Sequence, residues 1–146
     1  MIKMNMVYQI KKKAFKYYFQ AAKLNHPKAQ YNIGNYYYNG VVVEKNFYKA
    51  YEYYLMAANQ NHPYAQYMLG RFYHEGFHST KDLLKAVKYY KLSANQNNRS
   101  AQNNLGSLYL NEFHDIEKAI YYFTLSANLK SPKAQCNLGY IFYEGK

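Results

Sequence analysis

Apolar residues in this chain fall in stripes of helical period. In KAFKYYFQAA, residues Ala14, Tyr17, Tyr18, Ala21 and Ala22 follow i, i+3, i+4, i+7, i+8, one face of an amphipathic helix. In the next stretch, Ala29, Ile33, Gly34 and Tyr37 do the same. Helix starts separate the stripes. Pro27, Pro63 and Pro132 suit a first helical position, with Ser131 as a cap before the last. Asn46, Asp82 and Asp115 each stand four residues before a lead alanine, where an N-cap side chain is wanted.

The pairs of stripes repeat. KAFKYYFQAAKLNHPKAQYNIGNYYYNG, KAYEYYLMAANQNHPYAQYMLGRFYHEG, KAVKYYKLSANQNNRSAQNNLGSLYLNE and KAIYYFTLSANLKSPKAQCNLGYIFYEG align end to end. Their lead alanines (Ala14, Ala50, Ala86, Ala119) and interior glycines (Gly34, Gly70, Gly106, Gly139) share one set of spacings, 36, 36 and 33 residues. Neither helix of a pair buries its stripe alone, so neighbouring pairs must stack into an α-solenoid. A glycine inside a helix costs roughly 1 kcal/mol against alanine. Its recurrence predicts a close helix-to-helix approach, with the small pairs Ala21/Ala22, Ala57/Ala58, Ser93/Ala94 and Ser126/Ala127 as the opposing surface.

The pattern AxxxLGxxYxxG, a loop, then D/NxxKAxxYYxxAA, resembles the Sel-one-like repeat, a relative of the tetratricopeptide repeat. AQYNIGNYYYNG, AQYMLGRFYHEG and AQCNLGYIFYEG carry it closely, whereas AQNNLGSLYLNE lacks the last glycine and has a loop three residues shorter. The resemblance runs from about Lys11 to Gly145. It implies an all-α, right-handed α–α superhelix of about eight helices in a single domain. A half-repeat helix is expected at 7–24, repeats at about 26–60, 62–96 and 98–129, and an unpaired final helix at 131–144. It also implies scaffold or adaptor work through protein–protein contacts rather than catalysis.

Composition changes this picture little. No window approaches the 18 apolar residues of a membrane span, and the start shows no secretory signal. One cysteine, Cys136, allows no internal disulfide, which fits a cytoplasmic setting; it reads as a small buried filler. The net charge of +11 is uneven: residues 1–30 hold seven lysines and no acid, leaving +4 for the rest. A basic first helix raises nucleic acid or an anionic surface as an alternative partner. Against it, Phe15, Tyr17 and Tyr18 have packing positions in the repeat.

Residues 74–78, HEGFH, match the zinc-binding pattern H-E-x-x-H. Gly76, however, aligns with Gly40 and Gly145, where a left-handed C-cap glycine belongs. His74 is then helical and His78 lies in the loop, so the pair is not held on one face. His26 and His62 are equivalent residues of successive repeats, too far apart to share a metal. No phosphate loop and no nucleophile beside a base is present, so no cofactor or metal is expected.

In the related tetratricopeptide arrangement, the first helix of each pair lines a concave groove. At 100° per residue, Lys28, Tyr31, Asn35, Tyr38 and Asn39 lie away from the packing stripe. Their equivalents are Tyr64, Tyr67, Arg71 and His74, then Asn103 and Ser107, then Tyr140 and Tyr143. Tyrosine offers rigid contact area with a polar tip, and asparagine pairs both ways with a peptide backbone. A protein or peptide partner in this groove is the expected function. The final helix carries the packing stripe of its predecessors, Leu138 and Phe142 included, with no KAxxYY helix after it. Its cover is expected from a second copy, a homodimer through this helix, or from a partner or further sequence.

Overall fold

The computed structural model describes residues 2–145. Eight helices and no strand make up the secondary structure among them: α1 (Ile2–Lys23), α2 (Pro27–Asn39), α3 (Phe47–Ala58), α4 (Pro63–Glu75), α5 (Leu83–Ala94), α6 (Arg99–Asn111), α7 (Ile116–Asn128) and α8 (Pro132–Tyr143). Each packs on its neighbours in sequence, giving an all-α, right-handed superhelix of helix pairs. The even-numbered helices carry AQxxxG and the odd ones KAxxYY or, in α7, KAIYYF. Helix α1 begins at Ile2 rather than near residue 7, because the stretch before Tyr8 holds no glycine or proline to stop it.

The caps explain the boundaries. Asn46, Asp82 and Asp115 accept from the backbone N–H three residues on, at 2.9, 3.0 and 3.0 Å. Each of these cap residues also donates its own N–H to the carbonyl of Tyr37, Tyr73 or Tyr109, which fixes the loop before the helix. Ser131 Oγ caps α8. Three further caps are less legible in sequence. The Nδ1 atoms of His26 and His62 accept from Ala29 and Ala65 at 3.3 and 3.2 Å, and Asn98 accepts from Ala101 at 3.0 Å. A neutral imidazole Nδ1 sits at the same reach from the backbone as an asparagine oxygen. The residue before each cap, Asn25, Asn61, Asn97 or Lys130, takes φ between 61° and 65°. Asparagine tolerates that conformation better than other L-residues, which is why the turn favours it.

The interior glycines pack differently from expectation. A Cβ on Gly34 would stand 2.6 Å from Tyr54 Cε1, and one on Gly106 2.7 Å from Phe123 Cδ1. Gly70 faces Tyr90 in the same way. The close approach is thus a ring laid against bare backbone, not small residue on small residue. The small pairs sit one turn further along, where the chain folds into the next first-half helix. There Ser93 and Ser126 donate to the carbonyls of Pro63 and Arg99 at 2.7 Å. The shorter loop after α6 lacks the αL glycine, and His114 supplies a positive φ of 54° instead.

A buried amide ladder joins successive repeats. Gln30 and Gln66, the glutamines of AQ, are almost fully covered. Gln60 Nε2 donates to Gln30 Oε1 at 2.7 Å, and Gln96 Nε2 to Gln66 Oε1 at 2.8 Å. At the third step the donor position is Leu129, and the buried Gln102 Oε1 has no partner.

Candidate binding face

The first-half helices lie side by side. Tyr31 of α2 meets Tyr64 of α4, with ring centroids 6.0 Å apart. Asn104 Nδ2 of α6 donates to the hydroxyl of Tyr67 on α4 at 3.5 Å, and Asn137 Nδ2 of α8 donates to Asn103 Oδ1 of α6 at 3.0 Å. Of the residues expected to line a groove, those of α2 and α4 meet one another, whereas the links from α4 to α6 and from α6 to α8 run through Asn104 and Asn137, outside the expected set; much of that set is already engaged.

Asn35 accepts from the Tyr54 hydroxyl at 2.7 Å, a bond that passes from the second-half helix to the row. Tyr38 packs among Phe47, Phe72 and Phe77, and its hydroxyl accepts from Arg71 at 3.2 Å. The Arg71 guanidinium also stands over the rings of Tyr38 and Phe77, at 5.8 and 5.7 Å. Tyr67 leans on Tyr90, and His74 Nδ1 pairs with the Tyr90 hydroxyl at 3.3 Å. Asn103 is buried and Ser107 half-buried. Lys28, Asn39, Tyr64, Tyr140 and Tyr143 are exposed.

The centre of the open part is an aromatic platform. Tyr31 stacks on His62 with centroids 4.9 Å apart and planes 25° from parallel, and Tyr64 closes the other side. Burial, with the nearby charge of Lys28 adding, holds the His62 pKa below the ordinary 6.5. His62 is thus neutral at pH 7, as its cap on Ala65 requires. In the sequence His62 stands only as the equivalent of His26; the signal for its role as a cap is its position before Pro63 at the helix start.

The HEGFH segment is structural. Gly76 takes φ 73° and donates to Phe72 O, ending α4. His78, beyond it, stacks on Tyr51 at 3.9 Å. No group of three or more His, Cys, Asp or Glu able to hold a metal occurs among the described residues.

Three expectations on the outer faces change. Cys136 is exposed rather than buried, because its equivalents Tyr31, Tyr67 and Asn103 are covered by a following repeat and it is not. Tyr17 and Tyr18, assigned to packing, are exposed: their face of α1 is the one that a preceding first-half helix covers elsewhere. Phe15 does pack, on Phe19, Tyr36 and Tyr37. The lysines of α1 line an open cleft with Phe15 and Phe19, and Lys23 stands 4.6 Å over Phe19.

These features define a class: a tetratricopeptide-like α-solenoid with one glycine-and-ring joint per repeat. The sequence profile of the Sel1 repeat matches residues 11–26, 27–62, 63–98, 99–131 and 132–146, and the chain belongs to this family. Sel1-repeat proteins are generally non-enzymatic scaffolds for protein–protein interaction. Among solved structures, the chain is similar to a Sel1 repeat protein from Oxalobacter formigenes, with 31% identity and a TM-score of 0.87, covering 92% of this chain and 56% of that one. It is also similar to a protective antigen with an SLR fold from uropathogenic Escherichia coli, with 29% identity and a TM-score of 0.84, covering 89% of this chain and 29% of that one. An immunity protein from Pseudomonas aeruginosa, 23% identical over 89% of this chain and 50% of its own, shares the fold with a TM-score of 0.62. The chain thus spans 29% and 56% of the first two structures. No curated protein matches it. No helix among the described residues is long and apolar enough to cross a membrane.

Proposed function

We propose that this chain binds an extended protein segment along the concave row of its first-half helices, in a cytoplasmic setting and without catalysis. The observation that carries the reading is the platform of Tyr31, His62 and Tyr64 beside Lys28. Its rings are held by stacking and by a helix cap, so they offer a surface that need not be ordered on binding. Tyr64 stays open to solvent, and Lys28 beside it favours an acidic or carboxylate-bearing segment. Asn39, Tyr38 and Arg71 continue the row toward the C-terminal ends of α2 and α4. The exposed Tyr140 and Tyr143 extend it along α8, at a distance from the platform set by the one intervening repeat, α6 and α7.

The test is selection from a displayed peptide library on the immobilised protein, followed by titration of the enriched peptides. Tyr64→Ala should weaken them at least tenfold, which is about 1.4 kcal/mol, while helicity by circular dichroism stays that of the wild type. Peptides that bind wild type and Tyr64→Ala alike, or binding lost only on replacing Lys12 and Lys16 with a steep fall in salt, would move function to α1.

A further inference from the structure

Each joint between a first-half helix and the second-half helix after it has the same three parts. A lysine stands over a ring: Lys49 over Tyr37, Lys85 over Tyr73 and Lys118 over Tyr109, each at 5.3 Å. A tyrosine stacks on that same ring: Tyr53 on Tyr37 at 5.9 Å and 12°, Tyr89 on Tyr73 at 5.7 Å and 5°, Tyr122 on Tyr109 at 5.7 Å and 8°. The next residue, Tyr54, Tyr90 or Phe123, lies on a glycine.

The two ends of the array hold the two halves of one more joint. On α1 the equivalent positions are Lys13, Tyr17 and Tyr18. Tyr17 is 69% exposed and Tyr18 37%, against 0% for Tyr54 and 1% for Tyr90. On α8 the receiving ring is Phe142, 62% exposed, and the receiving glycine is Gly139, around whose missing Cβ nothing lies within 4 Å. Gln135, whose equivalents Gln30, Gln66 and Gln102 are buried, is exposed as well. The family match divides in the same place, with half a repeat at residues 11–26 and the other half at 132–146.

We propose that the chain associates head to tail with a second copy of itself, Lys13, Tyr17 and Tyr18 of one protomer seating on Phe142 and Gly139 of the next. The joint is continuous with the three inside the chain and supplies each open half with the chemistry its equivalents have. Pairing two α8 helices about a two-fold axis does not: it sets glycine and phenylalanine against their own kind and leaves the lysine–tyrosine–tyrosine face of α1 bare. A head-to-tail contact is heterologous, and without ring closure it propagates.

Sedimentation velocity from low micromolar to near-millimolar protein tests this. The wild-type mass should climb past twice the 17.4 kDa monomer without a plateau. Gly139→Leu blocks the tail and Tyr17→Glu the head, and each alone should remain a monomer. Mixed in equal amounts, they retain one good head and one good tail, and should form a two-chain species and nothing larger. Both residues are open in the single chain, so the variants should keep wild-type helicity; Phe142→Glu replaces Gly139→Leu should the latter not fold. A wild type that stays monomeric overturns the proposal. So does a dimer that Tyr17→Glu leaves intact, the mark of a two-fold α8 pair, or a mixture of the two variants that fails to associate.

Discussion

Replacing Leu129 with glutamine should stabilise the protein. At two steps of the array, the glutamine at this position closes on the buried glutamine of the preceding AQ, at 2.7 and 2.8 Å. At the third step Leu129 stands there, 38% exposed, and Gln102 Oε1 is buried without a donor. A buried unpaired carbonyl costs about 1–3 kcal/mol. Giving up part of the leucine's burial costs about 0.8 kcal/mol, the worth of one methylene. The net gain is then about 1 kcal/mol, or a rise in Tm of about 3–5 °C for a chain of this size. Thermal melts followed by circular dichroism measure it, in the Gly139→Leu background so that self-association does not contribute. Leu129→Glu is the control, since it has the shape of glutamine and no donor. A second cycle with Gln102→Met isolates the pair. Equal melting of Leu129→Gln and Leu129→Glu, with no coupling to position 102, would refute the reasoning.

Gly70→Leu should lower stability by roughly 1–3 kcal/mol or more, because its side chain enters the Tyr90 ring, whereas exposed Asn39→Ala should stay within about 0.5 kcal/mol; equal melting temperatures for Gly70→Leu and wild type would contradict the ring-on-glycine joint. His62 and His78 both have folded pKa values lowered by burial, so the unfolded chain takes up protons more readily, and stability should fall as pH drops below about 6.5. His62→Asn keeps the cap, as Asn98 does, and should flatten part of that fall; an unchanged Tm–pH slope counts against the assignment. Purified protein should bind no stoichiometric zinc by calorimetry, and one tight zinc per chain lost on His78→Ala would reverse the reading of HEGFH.

The repeat, its helix pairs and most of its caps were legible because period, proline position and the Asn/Asp caps act locally. The partner of the glycine was not. Helical spacing places Gly34 and Tyr54 on facing stripes but does not say which residue of the stripe lies opposite; the relative height of two antiparallel helices decides that. The histidine caps were hidden because imidazole lies outside the usual cap preferences, although His26 and His62 precede a proline just as Ser131 does. At the candidate binding face, a helical wheel sets the expected residues on one side of each first-half helix, and cannot show that consecutive first-half helices pack closely enough for Tyr38 and Asn103 to be spent on neighbours. The exposure of Cys136, Tyr17 and Tyr18 follows from position in the array, which the repeat pattern alone treats as uniform.

The residue on the glycine also sets how force passes through the array. Tyr54 and Tyr90 reach past their glycines with a hydroxyl that grips the first-half helices, at Asn35 in one case and at His74 and Asn104 in the other. Phe123 fills the same notch with no hydroxyl. The first two joints are therefore braced struts, and a load on the first-half helices there is felt by α3 and α5. The joint between α6 and α7 keeps its lysine and its stacked tyrosine but has no such hydroxyl brace, so the array should flex at that point first, swinging α7 and α8 as a unit and altering the curvature that any long partner must follow.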